Sequence, residues 1–247
     1  MKQLFLTLFL LLSLNVNAAT TYVYNVTKDE VVEEYASERI RPIASVTKLM
    51  TAIVVIESGA SLYEKIPYRG FAGRKEMTRE QLLKLLLVKS DNNAAEALAR
   101  SYTGGRSAFI ANMNHKANQL GMTNTAYEDP SGIGRNNLSN AKDLSVLLTY
   151  AYNYDVMREL SALESFNIES VSKKKRKPRV VKVNNTNFNL LKEYKEIVIS
   201  KTGFTSAAGK CLVMYLTKHD EKYTIVILGE RNTQSVQRVS RKIIERL

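Results

Sequence analysis

Two runs decide the fold: Lys210-Cys211-Leu212-Val213-Met214-Tyr215-Leu216-Thr217 and Tyr223-Thr224-Ile225-Val226-Ile227-Leu228-Gly229. Both are dense in aliphatic and aromatic residues, short, and free of a helical period, so both read as strands. Only a polar turn across 217–222 joins them, which makes them antiparallel neighbours. Working outward, Lys195 to Lys201 is a third strand, and Ser235 to Leu247 closes the chain as a basic amphipathic helix. At the other end, Thr21 to Tyr35 alternates around Thr27-Lys28-Asp29 and reads as a hairpin.

Between these β-rich ends the pattern is helical. Arg41-Pro42 marks a break, and Ser45 to Glu57 is a buried helix ending at Gly59. Thr78 opens another, with Gln81 placed to complete a capping box. That helix stops at Ser90-Asp91-Asn92, and Ala94 to Arg100 starts the next. Ser107 to Leu120 is helical, and Asn140 with Asp143 caps a helix running to about Tyr152. The implied class is α+β: an antiparallel sheet covered by N- and C-terminal helices, with an all-helical lobe beside it and a cleft between.

The first residues form a separate unit. Lys2 precedes an apolar run from Leu4 to Leu14, followed by the small residues Val16-Asn17-Ala18-Ala19. A bilayer span needs roughly 20 apolar residues, so residues 1–18 read as a cleaved signal peptide, with an uncleaved anchor as the alternative. The expected product is a soluble extracytoplasmic (periplasmic) protein spanning 19–247, without a stable membrane anchor and without a second C-terminal domain.

Composition narrows the chemistry. The formal charge of +12 favours anionic partners such as wall polymers or membrane surfaces. Much of it sits in Lys173-Lys174-Lys175-Arg176-Lys177 and Arg179, which also reads as a plain solvated loop; behind a signal peptide, no nucleic-acid partner is expected. The lone Cys211 excludes an internal disulfide and lies in a strand-like stretch, as a buried inert thiol would. His115 and His219, the only histidines, lack the neighbours of a zinc site or a Ser-His-Asp triad, so neither metal nor cofactor is expected.

Four Ser-x-x-Lys matches occur, at Ser45, Ser139, Ser170 and Ser172. Only Ser45 opens a buried helix, where residues i and i+3 share a face and Lys48 reaches the hydroxyl. A lysine desolvated among apolar residues is a usable base for a serine nucleophile. Taken alone, the pair reads more readily as a helix cap, Ser45, and a surface charge, Lys48. Ser90-Asp91-Asn92 and Lys201-Thr202-Gly203 each occur once, at an inter-helix junction and at a strand end. A cation and hydroxyl on a strand suit a substrate carboxylate, and glycine lets a second chain lie close.

The ordered set Ser-x-x-Lys, Ser-Asp-Asn, Lys-Thr-Gly resembles that of the low-molecular-mass penicillin-binding proteins, the D-alanyl-D-alanine carboxypeptidase and endopeptidase family. The likeness extends through Arg41 to Ala52, Val88 to Ala95, Lys201 to Thr205 and the loop Asp129-Pro130-Ser131-Gly132, and covers roughly residues 21–247. It implies Ser45 as nucleophile, Lys48 as general base, and Ser90 and Asn92 as proton-transfer and positioning groups. It also implies that Lys201, Thr202 and Gly203 line the carboxylate side. The Ser45 and Phe204 N–H groups would form an oxyanion hole, and Arg231 would lie near the substrate carboxylate. The implied partners are peptidoglycan stem peptides, with β-lactams as covalent inhibitors.

Two departures refine this. No glutamate from Glu96 to Glu196 has asparagine four residues on, so the deacylating element of class A β-lactamases is missing. Phenylalanine rather than histidine follows Lys-Thr-Gly, and the chain stops after its last helix. Both features look most like the soluble endopeptidase branch that cuts D-alanyl–diaminopimelyl cross-links. A carboxypeptidase, or a weakly catalytic β-lactam or wall-fragment sensor, stays open as the alternative.

Overall fold

The computed structural model describes residues 19–73, 75–170 and 179–247. The expected signal peptide and most of the basic run at 173–179 lie outside them. Five strands form the main sheet: β1 (Thr20–Asn25), β2 (Glu30–Tyr35), β3 (Ile197–Thr205), β4 (Gly209–Lys218) and β5 (Glu221–Glu230). Their spatial order is β2-β1-β5-β4-β3, and every pairing is antiparallel. The two ends of the chain thus meet in one sheet, with Val23 opposite Ile225.

The continuous apolar runs of β4 and β5 follow from burial on both faces. Leu212, Met214 and Leu216 share one core with Ile225, Ile227 and the final helix's Val236, Ile243 and Ile244. Cys211, Val213 and Tyr215, one residue out of phase, point to the opposite face with Val226 and Leu228. There they join the core of the helical lobe.

Eight helices accompany the sheet among the described residues: α1 (Lys48–Glu57), α2 (Arg79–Lys84), α3 (Asn92–Arg100), α4 (Gly105–Gln119), α5 (Ala141–Ala151), α6 (Asp155–Ser161), α7 (Phe188–Glu193) and α8 (Thr233–Arg246). The predicted caps are present. Thr78 and Gln81 form the reciprocal capping box of α2, and Asn140 accepts the Asp143 N–H at 2.8 Å to start α5. The α1 helix is buried from Lys48 through Val55, so it is apolar on almost every side. No helix among the described residues is long and apolar enough to cross a membrane.

Three features depart from the sequence reading. Ser45 does not open an α-helix: Ala44–Thr47 is a 3₁₀ turn, and α1 begins at Lys48. The helix of residues 79–84 continues into a π-turn over Leu85–Lys89 before the Ser-Asp-Asn junction. The described chain between α5 and β3, to which the sequence reading assigns no element before Lys195, is structured. It forms α6, a separate hairpin pairing Ser165–Glu169 with Val180–Asn184, and α7. These are one- and two-turn helices and short edge strands, whose stability comes from packing rather than from a local period.

Candidate active site

The site begins with backbone that is forced. Ala44 has φ +48°, a conformation unusual for a residue with a side chain, and the 3₁₀ turn follows at once. In a 3₁₀ turn, residues i and i+3 eclipse, so the turn aligns Ser45 with Lys48 more directly than an α-helix does. Lys48 Nζ lies 2.9 Å from Ser45 Oγ. It is wholly buried, yet Asn92 Oδ1 at 2.7 Å and the Ser131 carbonyl at 2.5 Å accept from it.

Those two oxygens can only accept. A neutral Lys48 amine satisfies them with its two N–H groups and keeps its lone pair for the Ser45 hydroxyl proton. The electrostatics favour that state. Burial pulls the Lys48 pKa down to about 7, against the opposing pull of Asp129 and Asp91. A base titrating near neutrality beside a hydroxyl is suited to making an alkoxide nucleophile.

Ser90 comes from the second strained point. It caps the π-turn in the left-handed region at φ +61°, and Asp91 then caps α3 by accepting the Ala94 N–H at 2.9 Å. This turn aims Ser90 and Asn92 at two different lysines. Asn92 takes Lys48, while Ser90 Oγ accepts from Lys201 Nζ at 2.9 Å. Lys201 also donates to the Thr202 carbonyl at 3.0 Å. Burial first, and repulsion from Lys48 second, push its pKa well below the ordinary lysine value. A carboxylate arriving in the groove would offset both effects and restore its charge.

Gly203 explains how β3 comes so close. A Cβ there would stand 2.9 Å from the Ile43 carbonyl and 3.1 Å from the Ser45 nitrogen. Only glycine lets the strand lie flat against the turn that carries Ser45. Ser45, Ser90, Thr202, Gly203 and Phe204 together line one open cavity of about 320 Å³, along with Thr186, Lys210 and Cys211. Phe204 is 56% exposed at its lip, with Lys210 Nζ 3.8 Å above the ring. Arg231 is exposed after β5 and is not among the residues lining the cavity. Cys211 is buried, and burial raises its thiol pKa to about 11. Among the described residues no group of His, Cys, Asp or Glu is arranged to hold a metal ion.

One part of the site had only a motif to mark it. The Asp129 carboxylate, held below the usual range because its hydrogen bonds outweigh its burial, organises the whole 129–134 loop. Oδ1 accepts from Ser131 N at 2.7 Å, Ser131 Oγ at 2.6 Å and Gly132 N at 2.7 Å. Oδ2 accepts from Gly134 N at 2.8 Å and Asn137 Nδ2 at 2.5 Å. That loop delivers the Ser131 carbonyl to Lys48. Gly132, at φ +79°, presses so tightly on the Ala44 carbonyl that a Cβ would overlap it. The contributions of Thr186 and Lys210 carried no signal in the sequence.

Known proteins resemble this chain in both sequence and fold. Residues 12–232 match the family model described as D-alanyl-D-alanine carboxypeptidase, peptidase S11. The D-alanyl-D-alanine endopeptidase of Escherichia coli K12 is 33% identical over 223 residues, covering 85% of this chain and 71% of the relative. That of Haemophilus influenzae is 36% identical over 241 residues, covering 90% and 78%. The cefotaxime-bound structure of penicillin-binding protein D2 from Listeria monocytogenes superposes with a TM-score of 0.80 at 25% identity, over 92% of this chain and 95% of that one. With that fold, and a family match across most of its length, the chain belongs to the D-alanyl-D-alanine carboxypeptidase family of serine peptidases.

Proposed function

We propose that this protein is an extracytoplasmic D,D-endopeptidase that cuts D-alanyl–diaminopimelyl cross-links in peptidoglycan through an acyl-enzyme on Ser45. The observation that carries the reading is the buried Lys48 amine, 2.9 Å from Ser45 Oγ, with its pKa drawn down to about 7. Lys48 takes the Ser45 proton as Oγ bonds to the D-alanyl carbonyl carbon. The backbone N–H groups of Ser45 and Phe204 stabilise the oxyanion. Collapse of the tetrahedral species breaks the C–N bond, and the amine leaves with a proton relayed through Ser90. Asn92 holds the acyl side, while Lys201, Thr202 and Gly203 form the carboxylate side, with Arg231 beyond them. Water then hydrolyses the ester and regenerates Ser45.

The endopeptidase preference is supported by the two relatives of that activity. Labelled penicillin followed by mass spectrometry should place a single adduct on the Ser45 peptide, and Ser45→Ala should abolish it. Digestion of a cross-linked dimer beside a pentapeptide monomer should then release monomers faster than D-alanine. Faster D-alanine release would make the enzyme a carboxypeptidase. An adduct without any product from either substrate would make it a sensor.

A further inference from the structure

A second groove, of about 860 Å³, lies beside the Ser90-Asp91-Asn92 turn and has no part in the chemistry above. Tyr68, Arg69, Gly70, Lys75, Asn93 and Arg100 are among the residues that line it. Tyr68 is only 1% exposed and ties the groove to the turn, since its hydroxyl donates to Asp91 Oδ2 at 3.3 Å and accepts the Phe71 N–H at 2.7 Å. Gly70 sits directly over that ring: a Cβ there would come within 2.5 Å of the Tyr68 hydroxyl. Asn93, which lines the groove, directly follows Asn92, so the groove and the Lys48 partner Asn92 share the start of α3.

Its charge is unbalanced. Glu96 is already gripped by Arg106 at 2.9 and 3.2 Å, with Arg100 3.9 Å away. The other acids on the surrounding segments are also committed: Glu64 to Arg79, Glu76 to Lys65, Glu80 to Lys84 and Asp91 to the start of α3. Arg69 and Lys75 are exposed and have no carboxylate partner among the described residues.

We propose that this groove is a subsite for a carboxylate-bearing arm of the peptide substrate, with Arg69 and Lys75 as the groups that bind it. The inference rests on the peptidase reading of the neighbouring cavity. Stem peptides carry carboxylates away from the bond that is cut, and a guanidinium pairs with a carboxylate through two parallel hydrogen bonds. A cross-linked dimer reaches both cavities, whereas a substrate ending close to its scissile bond fills only the first.

The test uses the full chain carrying Ser45→Ala, so that substrate binds without turnover, and a purified cross-linked muropeptide dimer as probe. Adding Arg69→Gln and Lys75→Gln should weaken dimer binding about tenfold, as expected for the loss of two charge-assisted contacts near the surface. A dimer amidated only on the carboxylates remote from the scissile bond, with the one that faces Lys201 left free, should bind both proteins equally and at the weakened level. Melting temperatures of the two proteins should coincide. Equal affinity of both for the unmodified dimer, or the same loss with the amidated one, would overturn the subsite. Failure of the wild-type enzyme to cleave a dimer that it binds through these two residues would count against the endopeptidase reading alone.

Discussion

In the proposed mechanism the rate turns on Lys48. On the proposed mechanism it must be neutral before Ser45 can attack, and burial sets its pKa at about 7. Acylation by penicillin should therefore rise with pH through neutrality and level off above it. Lys48→Ala should flatten that profile and slow acylation by about 10²- to 10⁴-fold, the span expected for loss of a general base. Stopped-flow acylation across pH 5 to about 9 reads both effects; a pH-independent wild-type rate would remove Lys48 from the role. Gly203 is the second sensitive point. Gly203→Ala forces a methyl against the Ile43 carbonyl and the Ser45 nitrogen. It should cost about 1–3 kcal/mol in chemical denaturation, as overpacking does, and slow acylation by displacing the nucleophile turn. The Ser-x-x-Lys match at Ser139 shows why the motif alone said so little. Ser139 hydrogen-bonds Thr125 at 2.7 Å while Lys142 pairs with Glu38 at 2.9 Å, so that pair never meets.

Three short elements carry the site, and each is irregular: a 3₁₀ turn, a π-turn ending in a left-handed serine, and a loop folded around an anion. Backbone in such sparsely populated conformations persists only where its surroundings hold it. For the 129–134 loop the holding group is Asp129. Its pKa is lower in the folded state than in the unfolded one, so its contribution to stability is complete above the normal aspartate range. That contribution is lost as pH falls through the folded value. Asp129→Asn should lower the melting temperature at pH 7, and the gap from wild type should narrow on acidification below about 4. It should also slow acylation, because the Ser131 carbonyl that orients Lys48 sits on the same loop. An unchanged gap across that titration would mean that the charge does not hold the loop. The well-capped helices, by contrast, were legible in advance, since Thr78 with Gln81 and Asn140 with Asp143 state their own start points.

At the scale of the molecule, one sheet serves two cores. Leu212 is 1% exposed in the core beneath α8, whereas Val180 on the small hairpin is 65% exposed. Leu212→Ala should cost about 2–5 kcal/mol, and Val180→Ala should stay within about 0.5 kcal/mol, both read by denaturant unfolding. Comparable losses would mean that the sheet does not anchor the fold. The sequence by itself determined the strands, the capped helices, the lone inert thiol and the three motifs, because periodicity, caps and spacing are local properties of the chain. It left α6, α7 and the hairpin between them unread, for these depend on packing and not on pattern. Only the tertiary structure decided that Lys48 touches Asn92, that Lys201 touches Ser90, and that Asp129 stands behind both the loop and the base. Those contacts join residues 44 and 111 positions apart. The 3.6-residue and two-residue periods of isolated elements carry no record of which distant segment closes against which; burial in a shared core does that.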